Sequence, residues 1–311
     1  MSNKIVALAG GVGAARFLTG LASIKPQEEI TVIINTGDDL TLHGLYISPD
    51  IDIITYTLAG VVDEQKGWGI AGDSFNCLSF LSHYTDQTWF NLGDRDLATH
   101  IYRTSLIKEG LTLSETTRRI AQALGVRAEL LPMSDRSVPT KIISDEGKLD
   151  FQEYFVKRKT QLRVKQVIFE GAEEAEPAPG VIERINSAKA IIVCPSNPII
   201  SIGPILAIKG VRQALQQTVA PVAAISPIVG GRALKGPADR MLAELGLQAS
   251  ACQVAELYKD FIDLFILDQQ DASQAEEIKL LGMKVVVTNT VMAGAREKTE
   301  LARVALGALN L

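Results

Sequence analysis

The chain has 311 residues, 47% apolar and 22% charged, with a formal net charge of −5. This balance supports a packed core and excludes disorder as the main state, while the acidic excess argues against a nucleic-acid binder. At this length either one large domain or two ordinary ones is possible.

Met1–Lys4 runs straight into the apolar stretch Ile5–Ala9, which is too short for a secretory signal. No apolar run reaches the ~20 residues of a membrane span, so a cytoplasmic protein is expected. Short β-branched runs then alternate with amphipathic stretches. Strands are expected at Lys4–Ala9, Ile30–Asn35, Ala190–Cys194, Pro221–Ser226, Phe261–Leu267 and Lys284–Thr288. Each is apolar on both faces and ends in a turn, which predicts an α/β, Rossmann-like, doubly wound and mostly parallel sheet. A single α/β domain over 1–311 is expected, with an inserted subdomain at about 51–175. Residues 51–125 carry helical spacing and a capping box, Thr112 with Glu115. Lys141–Ser144, a turn at 145–148, and Leu149–Val156 predict a hairpin. The acidic stretch Gly171–Gly180 reads as a surface loop.

The loops after the strands hold the candidate chemistry. Gly10, Gly11 and Gly13 follow the first strand and open a helix, where backbone N–H groups and the helix dipole favour a phosphate. Arg16 stands where a dinucleotide fingerprint needs a small residue, and the second strand ends at Asn35, not at an acid, so a nicotinamide site is disfavoured. Asp38, Asp39, Asp50 and Asp52 leave the second strand within fifteen residues, a supply of oxygen ligands suited to Mg²⁺. Helix capping or an Asx-turn accounts for one or two of these acids, not four. Trp68 lies between two glycines that open space for a flat ligand, and Tyr56 and Phe75 are further stacking candidates, with core packing as their alternative. Asn91–Asp96 places Arg95 between acids, a pattern common in surface ion pairs. The rigid turn Pro195, Ser196, Asn197 reads as a binding wall or as a plain chain reversal. Arg232 and Lys235 in the next loop offer positive charge to a diphosphate.

Cys77, Cys194 and Cys252 form no C-x-x-C pair, and His43, His83 and His100 show no metal-ligand spacing. No Ser/His/Asp triad or nucleophilic Cys is evident. The chemistry implied is positioning with charge neutralisation, as in phosphoryl transfer.

These loops, above all P-S-N-P-x-x-S-I-G-P at Pro195–Pro204 and L-G-D-R-D-x-A-T-H at Leu92–His100, resemble the 2-phospholactate transferase family of deazaflavin coenzyme F420 biosynthesis, and the likeness runs along the whole chain. The resemblance implies transfer of a 2-phospholactyl or phosphoenolpyruvyl group from a guanosine diphosphate ester to the ribityl hydroxyl of the deazaflavin precursor FO, with release of GMP. It also implies Mg²⁺ and a homodimer. Under it, Gly10, Gly11, Gly13, Arg16, Thr36, Pro195, Ser196 and Asn197 serve the donor, and Asp38, Asp39 and Asp50 the metal. Asp52 contacts FO and, with Asp38 and Asp39, makes up the catalytic set. Trp68, Asn91 and Arg95 lie by FO, although Asn91 stands where family members often carry a basic residue. The glycine loop looks more like bacterial members, which favours the phosphoenolpyruvyl donor. Two readings compete: a non-catalytic nucleotide-sugar-binding regulator of related fold, and a nicotinamide oxidoreductase.

Overall fold

A computed structural model describes residues 4–311; the reading of Met1–Asn3 therefore lies outside the described residues. In chain order the strands are β1 (Ile5–Ala9), β2 (Ile30–Ile34), β3 (Leu40–Leu42), β4 (Leu45–Ile47), β5 (Glu129–Pro132), β6 (Thr140–Ser144), β7 (Gly147–Asp150), β8 (Val164–Phe169), β9 (Ala190–Val193), β10 (Val222–Ile225), β11 (Ile228–Val229), β12 (Arg232–Ala233), β13 (Leu264–Asp268) and β14 (Lys284–Thr288). Among the described residues, seven of these form one parallel sheet in the order β14-β13-β10-β9-β1-β2-β5.

The sheet follows from apolar runs whose alternate residues serve opposite faces. In β1, Val6 and Leu8 join one buried cluster while Ile5, Ala7 and Ala9 join the other. Chain order reverses at β1: the next strand lies on one side, and β9 and its successors on the other. A crevice opens at such a switch point, outside the carboxyl ends of the strands. The expected doubly wound, Rossmann-like fold is the one the chain adopts.

The first helices are α1 (Gly11–Ala22), α2 (Pro49–Leu58), α3 (Asn76–Leu81), α4 (Asp94–Lys108) and α5 (Leu113–Ala123). The capping box of α5 is formed as expected, with Thr112 Oγ1 accepting from Glu115 N–H and Glu115 accepting from Thr112 N–H. Helix α1 packs closely on the carboxyl-terminal helix Ala295–Ala308 because Gly20 meets the backbone of Lys298; a Cβ there would lie 2.0 Å from the Lys298 carbonyl oxygen.

Two features differ from expectation. The stretch at about 51–175 is not wholly an insertion, because β5 within it closes one edge of the main sheet. That strand is only four residues long, begins with Glu129 and ends with Pro132, so it lacks the apolar run of its neighbours; proline is tolerated there because the edge leaves its missing N–H unneeded. The second arm of the hairpin stops at Asp150 rather than continuing to Val156. Phe151 and Tyr154 turn helically instead, burying one face with Ile142, Val164, Ile200 and Met241, and β8 supplies the other neighbour of β6. The turn that follows β7, through Phe151, Gln152, Phe155 and Val156, lines one side of the crevice.

Candidate functional site

A cleft of about 430 Å³ lies at the switch point. Two adjacent turns form its floor. Gly10 follows β1 and Pro195–Asn197 follows β9, and Ser196 Oγ donates to the Gly10 carbonyl at 2.8 Å. The approach is close enough to require glycine: a Cβ on Gly13 would lie 2.1 Å from the Pro195 carbonyl oxygen, and Gly11 has φ +70°, in the left-handed region. Asn197 caps the turn after it, its side-chain oxygen accepting from Ile199 N–H at 2.9 Å.

Acids from the loop after β2 and from α2 enter the same cleft. Asp50 Oδ1 accepts from Gly11 N–H at 2.8 Å, and its Oδ2 accepts from Asn35 Nδ2 at 2.9 Å. Burial pushes its carboxyl up to about 6 despite those two donors. Asp38 is buried beside it. Desolvation first, and then the Asp50 charge, hold Asp38 well above the usual carboxylate range. Its Oδ1 is buried with no hydrogen-bond partner among the described residues. An orphaned carboxylate oxygen next to a second buried acid suits a divalent cation, which takes oxygen ligands and removes the repulsion. The residues present therefore fit Mg²⁺. Neither Asp50 nor Asp52 caps α2, whose N-cap Ser48 makes no side-chain cap bond.

Asp52 and Asp96 belong to a second arrangement. The fully buried Arg103 grips Asp52 with both guanidinium nitrogens, Nη1 to Oδ2 at 3.0 Å and Nη2 to Oδ1. Tyr56 OH donates to Asp96 Oδ1 at 2.7 Å, and His100 Nε2 lies 3.4 Å from the same oxygen. Asp52, Asp96 and His100 present potential ligand atoms within 4.8 Å of one another, but Arg103 already supplies the cation there.

Apolar and basic walls complete the cleft. Trp68 lies on one side with Phe90 and Asn91, and Phe151 and Phe155 on another, their rings stacked with centroids 5.4 Å apart. Arg16 and Lys235 line the mouth, and among the described residues neither forms an ion pair with an acid. Partial burial, and then the Arg16 charge, hold the Lys235 ammonium below its usual range.

Of the residues expected from the sequence, Gly10, Gly11, Gly13, Arg16, Asp38, Asp50, Asp52, Trp68, Asn91, Pro195, Ser196 and Asn197 meet in this cleft. Asp39, Thr36 and Arg95 do not line it. Asp39 accepts from Tyr46 OH at 2.8 Å and Ser48 Oγ at 2.6 Å, which ties its carboxylate to the β3–β4 hairpin and the start of α2 rather than to Asp38. Thr36 is buried beneath the turn. Arg95 is exposed and donates to the Ala71 carbonyl at 3.1 Å. Phe75 packs edge-on against Trp68 outside the cleft lining, and Arg232 also stays outside while Lys235 enters. The sequence reading missed Asp96, His100 and Arg103 as a unit. Their signal is the i, i+4, i+7 spacing that puts all three on one face of α4.

Comparison with known proteins matches residues 5–301 to the family model described as 2-phospho-L-lactate transferase CofD. The phosphoenolpyruvate transferase of Kitasatospora aureofaciens is 42% identical over 310 residues, spanning 97% of each chain. The protein of the same name from Streptomyces griseus subsp. griseus is 41% identical over 309 residues, again 97% of each. The 2-phospho-L-lactate transferase of Methanosarcina mazei is 36% identical over 304 residues, 98% of this chain and 100% of that one. Among solved structures, a UPF0052 family protein from Bacillus halodurans superposes with a TM-score of 0.62 at 16% identity, covering 98% of this chain and 99% of its own, a likeness of fold.

Proposed function

The chain belongs to the 2-phospho-L-lactate transferase CofD family, and from that premise we propose that it moves a phosphoenolpyruvyl or 2-phospholactyl group from a guanosine diphosphate ester to the ribityl hydroxyl of FO, releasing GMP. The hydroxyl oxygen bonds to the distal phosphorus as the bridging bond to GMP breaks. The enolpyruvyl donor is favoured, since relatives named for it reach 42% identity.

The observation that carries this reading is the meeting, in one crevice, of a glycine turn, an uncompensated acid pair and aromatic walls. In this reading the donor diphosphate faces the start of α1 at Gly10–Gly13, where the first N–H groups of a helix lack intrahelical partners. Gly11 N–H is engaged by Asp50, which joins the anion loop to the acid pair. Arg16 and Lys235 offset negative charge at the mouth, and Pro195, Ser196 and Asn197 face the guanosine half. Mg²⁺ would be held by Asp38 and Asp50, and when bound it supplies charge neutralisation on phosphate oxygens. FO lies against Trp68, Asn91 and Asp52, with the stacked Phe151 and Phe155 as a second flat wall. A homodimer and a cytoplasmic location belong to the same proposal; among the described residues no helix is long and apolar enough to cross a membrane.

Incubation with FO, Mg²⁺ and each guanylated donor, followed by mass spectrometry, tests the reaction. A product heavier than FO by one phospho-acid unit, together with GMP, is expected. Tight UDP-sugar binding with no FO binding and no product would favour the regulatory reading instead.

A further inference from the structure

We propose that Asp96 is a catalytic residue that receives the proton of the attacking hydroxyl, with Tyr56 and His100 as its positioning residues; this rests on the transferase reading above. Of the other three acids of the cleft, two are held by hydrogen bonds and the third, Asp38, whose Oδ1 is unpartnered, is set aside with Asp50 for Mg²⁺ in the proposed reading. Asp50 is taken by Gly11 N–H and Asn35, Asp38 shares its charge problem with Asp50, and both oxygens of Asp52 are bound to Arg103. Asp96 lines the cleft and differs from all three. Its Oδ1 is engaged by Tyr56, while its Oδ2 receives no hydrogen bond among the described residues. One oxygen is anchored and the other is available.

The geometry also fixes which way the histidine faces. Arg103 Nη1 lies 3.2 Å from His100 Nδ1, and a guanidinium can only donate, so Nδ1 must be the acceptor and the ring proton sits on Nε2. Nε2 is buried, has no hydrogen-bond partner and lies 3.4 Å from Asp96 Oδ1. His100 thus keeps its ring proton beside Asp96 without a hydrogen bond to it, and is not the base. Burial raises the Asp96 carboxyl, but the neighbouring His100 ring, the Tyr56 donor and the Arg103 charge outweigh it and hold the group below the usual carboxylate range. It stays an anion at neutral pH. In phosphoryl transfer the protein orients the nucleophile more than it strips it, and an anchored carboxylate does this by accepting the hydroxyl hydrogen. As the new P–O bond forms, GMP departs with the electron pair of the bridging bond. The hydroxyl proton passes to Asp96 Oδ2 and from there to water.

Asp96→Asn keeps the shape and removes the proton acceptor. With FO, Mg²⁺ and the guanylated donor, kcat should fall at least ~100-fold, while the affinities for FO, read by its fluorescence, and for GDP change less than about threefold. Turnover within about threefold of wild type would overturn the assignment, as would loss of FO binding in step with the loss of rate. Wild-type protein that yields no product with any donor would instead defeat the transferase reading, a separate outcome. Should Asp96→Asn fail to fold, Tyr56→Phe decides. The titratable and charged groups around Asp96 are Tyr56 and Asp52 from α2, His100 and Arg103 from its own helix, and Asp73, whose Oδ2 accepts from Asp96 N–H at 3.1 Å. Removing the Tyr56 donor should lower kcat at least ~10-fold with the FO and GDP affinities changed by less than about threefold, and an unchanged kcat, or a loss of FO binding in step with the rate, would contradict the proposal.

Discussion

Two acid clusters share the cleft and solve the same electrostatic problem in opposite ways. Asp52 and Asp96 bring their own compensation, since Arg103, His100 and Tyr56 arrive on the facing sides of α2 and α4 and satisfy them. Asp38 and Asp50 have only neutral donors, Asn35 and Gly11 N–H, and each carries a raised pKa. The first cluster carries its own cation, with only Asp96 Oδ2 left unpartnered among the described residues. The second would be completed by positive charge from outside, and that is the physical basis for the proposal that it holds the divalent ion.

Breaking the complete cluster should have the largest effect. Arg103→Met strands Asp52 as a buried, unpaired charge and should cost roughly 3–5 kcal/mol of stability by urea unfolding, with Asp52→Leu in the same chain recovering most of it. A loss under about 1 kcal/mol would mean that the pair is not desolvated.

The incomplete cluster predicts a pH dependence of the opposite sign to the usual carboxylate case. Asp50 rises from 3.8 in the unfolded chain to about 6 in the fold. Between those values the native state holds the extra proton, so metal-free stability should fall as pH rises from 4 to 6, by roughly 2–3 kcal/mol from Asp50 alone, and go on falling towards pH 8 as Asp38 and Asp39, also raised by burial, ionise. Added Mg²⁺ should restore it, more at pH 8 than at pH 5. Metal-free stability that climbs over this window would show the pair to be compensated after all.

The sheet and the position of the cleft were legible in the sequence, for identifiable reasons. The apolar runs Ile5–Ala9, Ile30–Ile34 and Ala190–Val193 could be little else but buried parallel strands, and the loops after them fall at the carboxyl edge by topology. The four aspartates were visible as a group, but their separation into two clusters was not. Asp39 is diverted by Tyr46 and Ser48, and Asp52 is claimed by Arg103, a residue 51 positions away whose relevance emerges only when α4 packs against α2. Strand β5 escaped notice because Glu129 and Pro132 mask its two buried leucines, and Glu129 is accommodated only by its partners Lys4, Thr31 and Arg184.

A smaller effect sharpens the contrast within the incomplete cluster. Asp38→Asn removes the buried repulsion and should raise metal-free stability at pH 8 by roughly 1–2 kcal/mol in thermal or urea unfolding, even as it lowers transfer at least ~100-fold. Smallest of all, Arg95→Ala should change stability by less than about 0.5 kcal/mol and leave turnover near wild type, because its side chain is exposed outside the cleft.

Calorimetric titration of Mg²⁺ into wild type, Asp38→Asn and Asp96→Asn separates the two clusters most directly. One site should be seen in wild type and retained in Asp96→Asn, but lost in Asp38→Asn. Undiminished Mg²⁺ binding by Asp38→Asn, or its loss in Asp96→Asn alone, would contradict the assignment.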